Sequence, residues 1–94
     1  MGVSFEILYH ELVITDDISR LSSVWREKIR RTIENRLTKK PEVYGKPLRK
    51  SLKGYRRLRV GDYRVVYKIR GKTVKILAIQ HRSVAYNKMN NRDI

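Results

Sequence analysis

Ninety-four residues without a cysteine, 40% of them hydrophobic, describe a single domain over residues 1–94 with one core, and exclude disulfides, thiol catalysis and cysteine-based zinc or iron–sulfur sites. Lys and Arg number 23 against 9 Asp and Glu, a net charge of +14. The excess is lopsided: residues 1–42 hold 8 basic and 7 acidic side chains, whereas residues 43–94 hold 15 and 2.

Val3 to Tyr9 alternates, with Val3, Phe5 and Ile7 on one side and Ser4 and Glu6 on the other, the period of a strand. From His10 to Leu21 the pattern is mixed; as a helix it places Ile14, Ile18 and Leu21 on one face. Ser22-Ser23 breaks the chain and offers an N-cap. Trp25, Ile29, Ile33 and Leu37 then recur every four residues among charges, an amphipathic helix running from Val24 to Lys39 and ending before Pro41. The two helices form a hairpin. Residues 41–54 hold both prolines and two glycines, and Leu48 and Leu52, four apart, predict a short helical turn there. Tyr55 to Ile69 reads as two strands joined at Val60-Gly61-Asp62. A turn at Gly71-Lys72 leads into a third strand, Thr73 to His81. The order β-α-α-β-β-β predicts an α+β fold, an antiparallel sheet with an N-terminal helical hairpin packed on one face.

The basic half carries the candidate site. Between Lys46 and Lys75 the chain has 12 basic residues and one acid, Asp62. Such a footprint points to a polyanion, and to nucleic acid before a membrane surface, because no amphipathic helix with an exposed apolar face accompanies it. The longest apolar run, Ile76 to Ile79, falls far short of the ~20 residues of a membrane span, and the mixed, acidic N-terminus does not read as a signal peptide. A cytoplasmic protein is expected.

On a strand, Arg57 and Arg59 project to the same side while Leu58 and Val60 face the helices. Arg64 follows the Gly61-Asp62 turn, then Lys68 and Arg70. Aligned guanidinium forks on paired strands suit phosphate. Lys46, Arg49, Lys50, Lys53 and Arg56 extend the same basic stretch. Tyr55, Tyr63, Tyr67 and Tyr86 are interleaved; exposed, any of them could stack on a base, although Tyr63 and Tyr67 are expected in the core. His81-Arg82-Ser83-Val84-Ala85-Tyr86 closes the last strand, where a His, an Arg and a Tyr could supply an acid or base, a phosphate clamp and a stacking platform.

Two histidines without spaced carboxylates do not make a metal site, and Gly61 and Gly71 are turn glycines rather than a phosphate loop. Catalysis by this chain is therefore expected to need no metal and no cofactor. Arg, Lys, His and Tyr suit attack of a 2′-hydroxyl on the adjacent RNA phosphate, which needs a base, cations for the developing negative charge and an acid for the leaving oxygen.

The stretch YRRLRVGDYRVVYKI at 55–69, with HRSVAY at 81–86 and the prolines, glycines and leucines of 41–55 before it, resembles the RelE/ParE superfamily of type II toxin–antitoxin toxins, on its RelE side. The resemblance covers nearly the whole chain. It implies a ribosome-dependent endoribonuclease that enters the A site, cuts the mRNA there and inhibits translation, and that a cognate antitoxin of acidic character neutralises. By position it implies that Arg57 and Arg59 are the basic pair of the first strand after the helices. Arg64 is then the phosphate-stabilising arginine after the turn, Arg82 the basic residue ending the last strand, and Tyr86 the terminal tyrosine that stacks on or orients the nucleotide. Lys46, Arg49, Lys50, Lys53, Arg56, Lys68 and Arg70 become contacts for mRNA and ribosome. Where relatives often carry lysine on the first strand this chain has arginines, which are poor bases; His81, Tyr86, Lys53 and an unusually perturbed arginine are the candidates left. Two other readings stay open: a ParE-like DNA gyrase poison that acts by binding, and a non-catalytic nucleic-acid-binding relative.

Overall fold

A computed structural model describes residues 4–49 and 53–84 together with Arg92. Strand β1 (Glu6–Tyr9) leads into a wide π-helical segment, Val13–Asp17, and a 3₁₀ turn, Ile18–Arg20. Helix α1 (Ser23–Thr32) follows and continues through a second π-helical segment, Ile33–Leu37. A one-turn helix, α2 (Pro41–Tyr44), leads to a two-residue strand β2 (Lys46–Pro47), followed by β3 (Arg56–Val60), β4 (Tyr63–Arg70) and β5 (Thr73–His81). The α+β architecture and the hairpin of helices agree with the pattern of the sequence.

The five strands form one sheet in the order β1-β5-β4-β3-β2. Strands β2 to β5 pair antiparallel, whereas β1 pairs with β5 in parallel, Glu6 opposite Thr73 and Tyr9 opposite Ile76. The sheet is thus mixed rather than wholly antiparallel. Alternation marks a strand but carries no direction, so the pattern of Val3 to Tyr9 does not tell a parallel partner from an antiparallel one. As an inner strand with both faces covered, β5 buries Ile76 to Gln80 without a break, which accounts for the continuous apolar run Ile76–Ile79.

The helices bring Val13, Leu21, Ile29, Ile33 and Leu37 against Leu58, Val60, Val65, Tyr67, Val74, Ile76 and Ile79. The period of four in α1 and its continuation is borne out. In the first helical segment Leu21 is buried and Ile18 packs against the core, as expected, but Val13 and Asp17 are buried as well and Ile14 is 58% exposed. The reason is Asp17. Beyond Tyr9, β1 no longer covers the edge of β5, and the Asp17 carboxylate accepts from Ile79 N at 2.9 Å in place of a strand carbonyl. Arg92 closes the same edge, donating to Asp17 at 2.7 and 3.1 Å and to Leu77 O at 3.1 Å.

Of the helical turn expected at Leu48 and Leu52, residues 50–52 lie outside the described residues; Leu48 itself is not helical, and its N–H donates to Tyr55 O. Among the described residues of this segment the helical turn is α2, and three contacts hold it to the sheet. Tyr67 Oη donates to Pro41 O, and Arg56 donates to Glu42 O and Gly45 O, each at 3.1 Å. Gly45 lies so close to Tyr67 that a Cβ there would fall 1.9 Å from the phenol oxygen.

Burial pushes the Tyr67 phenol up to about 12. The unfolded chain releases this proton near pH 10 and the folded chain does not, so the stabilisation is complete below pH 10 and is lost on raising the pH toward 12. It amounts to about 2–3 kcal/mol. Urea unfolding between pH 9 and pH 12 is expected to lose stability more steeply in the wild type than in Tyr67→Phe; identical slopes would contradict it.

Candidate nucleic-acid interface

The register of β2 to β5 sorts the cations by face. Lys46 stands opposite Arg57, and Arg59 opposite Arg64. Arg64 stands opposite Gln80 on its other side, and Lys68 opposite Lys75. Directly opposed residues share a face, and the buried residues between them, Leu58, Val65 and Tyr67, point to the helices. Lys46, Arg57, Arg59, Arg64, Lys68, Arg70 and Lys75 therefore project from the side of the sheet away from the helices. A small apolar cluster of Tyr55, Val66, Leu77 and Ala78, with Leu48 against it, lies on that side. Leu77 joins it because β5 carries an extra residue there, Val66 facing Ala78 and Tyr67 facing Ile76.

Three of these pairs, Lys46–Arg57, Arg59–Arg64 and Lys68–Lys75, place like charges directly across neighbouring strands, with Cβ atoms about 4.5–5.5 Å apart in such pairs, an arrangement that destabilises a sheet. The acids of α1 are used differently. Arg30 bridges Glu27 at 2.5 Å and Glu34 at 3.0 Å, and its hydrogen bond holds the Glu27 carboxyl below its ordinary value. On the helix the acids are engaged by Arg30, whereas the outer sheet face sets cations opposite cations.

The expected site residues divide. Arg57, Arg59 and Arg64 share one face, as the alternation predicts. Arg82 lies against the β3–β4 turn: its N–H donates to Asp62 O at 2.8 Å, and its guanidinium reaches the exposed Asp62 carboxylate at 3.8 Å. His81 is not brought to the arginine face. It stands opposite Tyr63 on the helix side and meets that ring edge-on at 5.5 Å; Tyr63 in turn packs on Trp25 at 5.0 Å. His81 Nδ1 accepts from Ser83 N–H at 3.2 Å and lies 2.8 Å from Ser83 Oγ. Arg56 is likewise corrected: its side chain secures α2 from the helix side. Lys68 leans over Tyr55 at 5.4 Å. Arg49 and Lys53 are exposed in the segment before β3, and Lys50 and Tyr86 lie outside the described residues. Arg36 and Tyr44 were not expected at this interface. They meet at 5.4 Å, guanidinium over ring, beside Lys46, Arg57 and Arg59. On a helix Arg36 reads as one more solvated charge, and only the tertiary fold shows otherwise.

The mixed five-stranded sheet with helices packed on one face matches the fold of RelE-like toxins of known structure. A profile of the ParE toxins of type II toxin–antitoxin systems, parDE, matches residues 8–86, and this chain belongs to that family. Among solved structures it is similar to the RelBE2 toxin–antitoxin complex of Mycobacterium tuberculosis, with 28% identity over 87% of this chain and 95% of that one and a TM-score of 0.80. The RelB–RelE complex of Methanococcus jannaschii shares the fold at 22% identity, covering 81% and 91% of the two chains with a TM-score of 0.64. YafQ from E. coli does so at 24%, covering 84% and 94%, with a TM-score of 0.55. No curated protein matches the sequence. Among the described residues no helix is long and apolar enough to cross a membrane.

The Arg59–Arg64 pair is joined by a turn that depends on Gly61, whose φ is +59° and whose Cβ, if present, would fall 2.3 Å from the Trp25 ring. Gly61→Ala is expected to pry Trp25 from Tyr63. Trp25 is the one tryptophan of the chain, so its emission should move to longer wavelength; an unchanged spectrum would contradict this contact.

Proposed function

We propose that this chain is a metal-independent, cofactor-free endoribonuclease toxin that cleaves mRNA in the ribosomal A site and so inhibits translation. The observation that carries the reading is the shared face of Arg57, Arg59 and Arg64, a like-charged array kept at the expense of the sheet's stability. Arg64 sits on the inner strand β4, half-buried, where its guanidinium is preorganised for a phosphate oxygen. Arg57 and Arg59 hold the flanking backbone, and Arg82, beside the turn, and Tyr86 complete the site. Lys46, Arg49, Lys50, Lys53, Lys68 and Arg70 are assigned to the wider RNA and ribosome contact. His81 is assigned to the strand end rather than to proton transfer, since its Nδ1 is engaged by Ser83. The base is then Tyr86 or Lys53, or the attacking hydroxyl loses its proton to a group supplied by the ribosome.

The similar structures of M. tuberculosis and M. jannaschii are complexes of a toxin with its antitoxin. By the same reasoning this chain is held by an antitoxin that presents acidic and apolar side chains, in the cytoplasm where ribosomes are. The matching family profile favours a second reading, a ParE-like protein that poisons DNA gyrase by binding.

Cleavage of mRNA on translating ribosomes, run beside a gyrase supercoiling assay, separates the two. The nuclease reading expects codon-positioned cuts and undisturbed supercoiling. Arg64→Ala should slow single-turnover cleavage about 100–1000-fold, the loss of one charge clamp worth ~2.7–4 kcal/mol. His81→Asn, which keeps an acceptor for Ser83 N–H, should stay within a few fold of the wild type. Gyrase inhibition without cleavage would overturn the reading.

A further inference from the structure

A groove of about 190 Å³ opens where the end of the long helix meets the outer strands. It is lined by Arg36, Tyr44, Lys46, Arg57, Leu58 and Arg59, with four cations and no acid. It lies at the edge of the sheet: among the described residues β2 pairs with Arg56 and Arg57 alone, and Leu58 and Arg59, next along β3, line the groove. Tyr44 is 46% exposed, and the Arg36 guanidinium lies 5.4 Å from its ring centroid. The ring is not a loose surface aromatic. It sits on α2, which Tyr67, Arg56 and the close approach of Gly45 fasten to the sheet.

We propose that this groove is a nucleotide subsite for single-stranded RNA. One base stacks on the open face of Tyr44, and the adjoining phosphates are held by Arg36 and Lys46, so that the strand continues from there onto Arg57 and Arg59. The inference rests on the reading that the arginine face takes RNA, and it adds the direction in which the strand leaves it. A fixed aromatic ring beside a cationic track is the combination that binds single strands without regard to sequence. An acidic peptide would use the cations but has no need of the ring. The groove is smaller than the ~300–1,000 Å³ typical of whole-ligand pockets, which suits one base or phosphate of a longer strand.

The test is fluorescence anisotropy of the full chain with a labelled single-stranded RNA octamer, repeated with an acidic peptide of the same length. Tyr44→Ala should weaken RNA binding about 5- to 150-fold, the ~1–3 kcal/mol of a stacked base, while Tyr44→Phe stays near the wild type. Arg36→Ala should lower the slope of log Kd against log salt by about 0.7, one phosphate of a single strand. Both side chains are exposed, and matching thermal melts establish that the variants are folded. A second measurement, photocrosslinking of 5-bromouridine RNA to the wild type, should label Tyr44. RNA binding by Tyr44→Ala equal to the wild type would overturn the subsite, as would a loss seen only with the acidic peptide. If Arg57→Ala and Arg59→Ala also bind RNA undiminished, it is the nuclease reading that fails; if they lose binding and Tyr44→Ala does not, only the subsite fails.

Discussion

Arg59 and Arg64 face each other across the β3–β4 hairpin, and most of the molecule serves to keep them there. Two guanidinium groups on adjacent strands repel, and left to itself the hairpin would relax by slipping register or splaying. A slip of one residue would send Leu58, Val60, Val65 and Tyr67 out of the core, so the hydrophobic face fixes the register that the charges oppose. Gly61 supplies the turn conformation and the space that lets Trp25 close over the end of the hairpin. Under the proposed function the repulsion has a use, because an anion placed between the two groups would remove the unfavourable energy and gain the attraction.

Two buried polar frames hold the ends of this arrangement. At one end Asp17 and Arg92 stand in for a missing strand at the open edge of β5. Asp17 lies near the start of the helical hairpin and Arg92 near the end of the chain, so the pair ties together distant parts of the sequence. Breaking such a buried pair by removing one partner leaves an uncompensated charge, typically ~3–5 kcal/mol, a large share of a small domain's stability. At the other end Arg56 and Tyr67 bind the carbonyls of α2 and bring Tyr44 to the rim of the arginine face. Arg56 and Arg57 are neighbours with opposite duties, one structural and one facing solvent, because successive strand residues point to opposite sides.

The same alternation explains how much could be read from the chain. The long helix, the three-strand meander, the core positions Leu58 and Val60 and the common face of Arg57, Arg59 and Arg64 all follow from periodicity, which the sequence displays directly. What escaped depends on partners remote in the chain. The parallel pairing of β1 with β5 is a matter of pairing rather than pattern. Asp17 on a helical segment gives no sign in the sequence of being buried, and only Ile79 and Arg92, both remote in the chain, make it so. His81 lies one residue from the face expected for it, and at a strand end a single position decides the side. Arg36 and Tyr44 meet Arg57 only because the chain turns back at α2.

The central claim is that the outer face gives up stability to hold an anion. Arg59→Thr tests it most directly, since it removes one member of the opposed pair and leaves a residue suited to an exposed strand. Measured by urea unfolding at low ionic strength, the variant should be more stable than the wild type, and added salt should narrow the difference. A variant less stable than the wild type, or a difference indifferent to salt, would contradict the account.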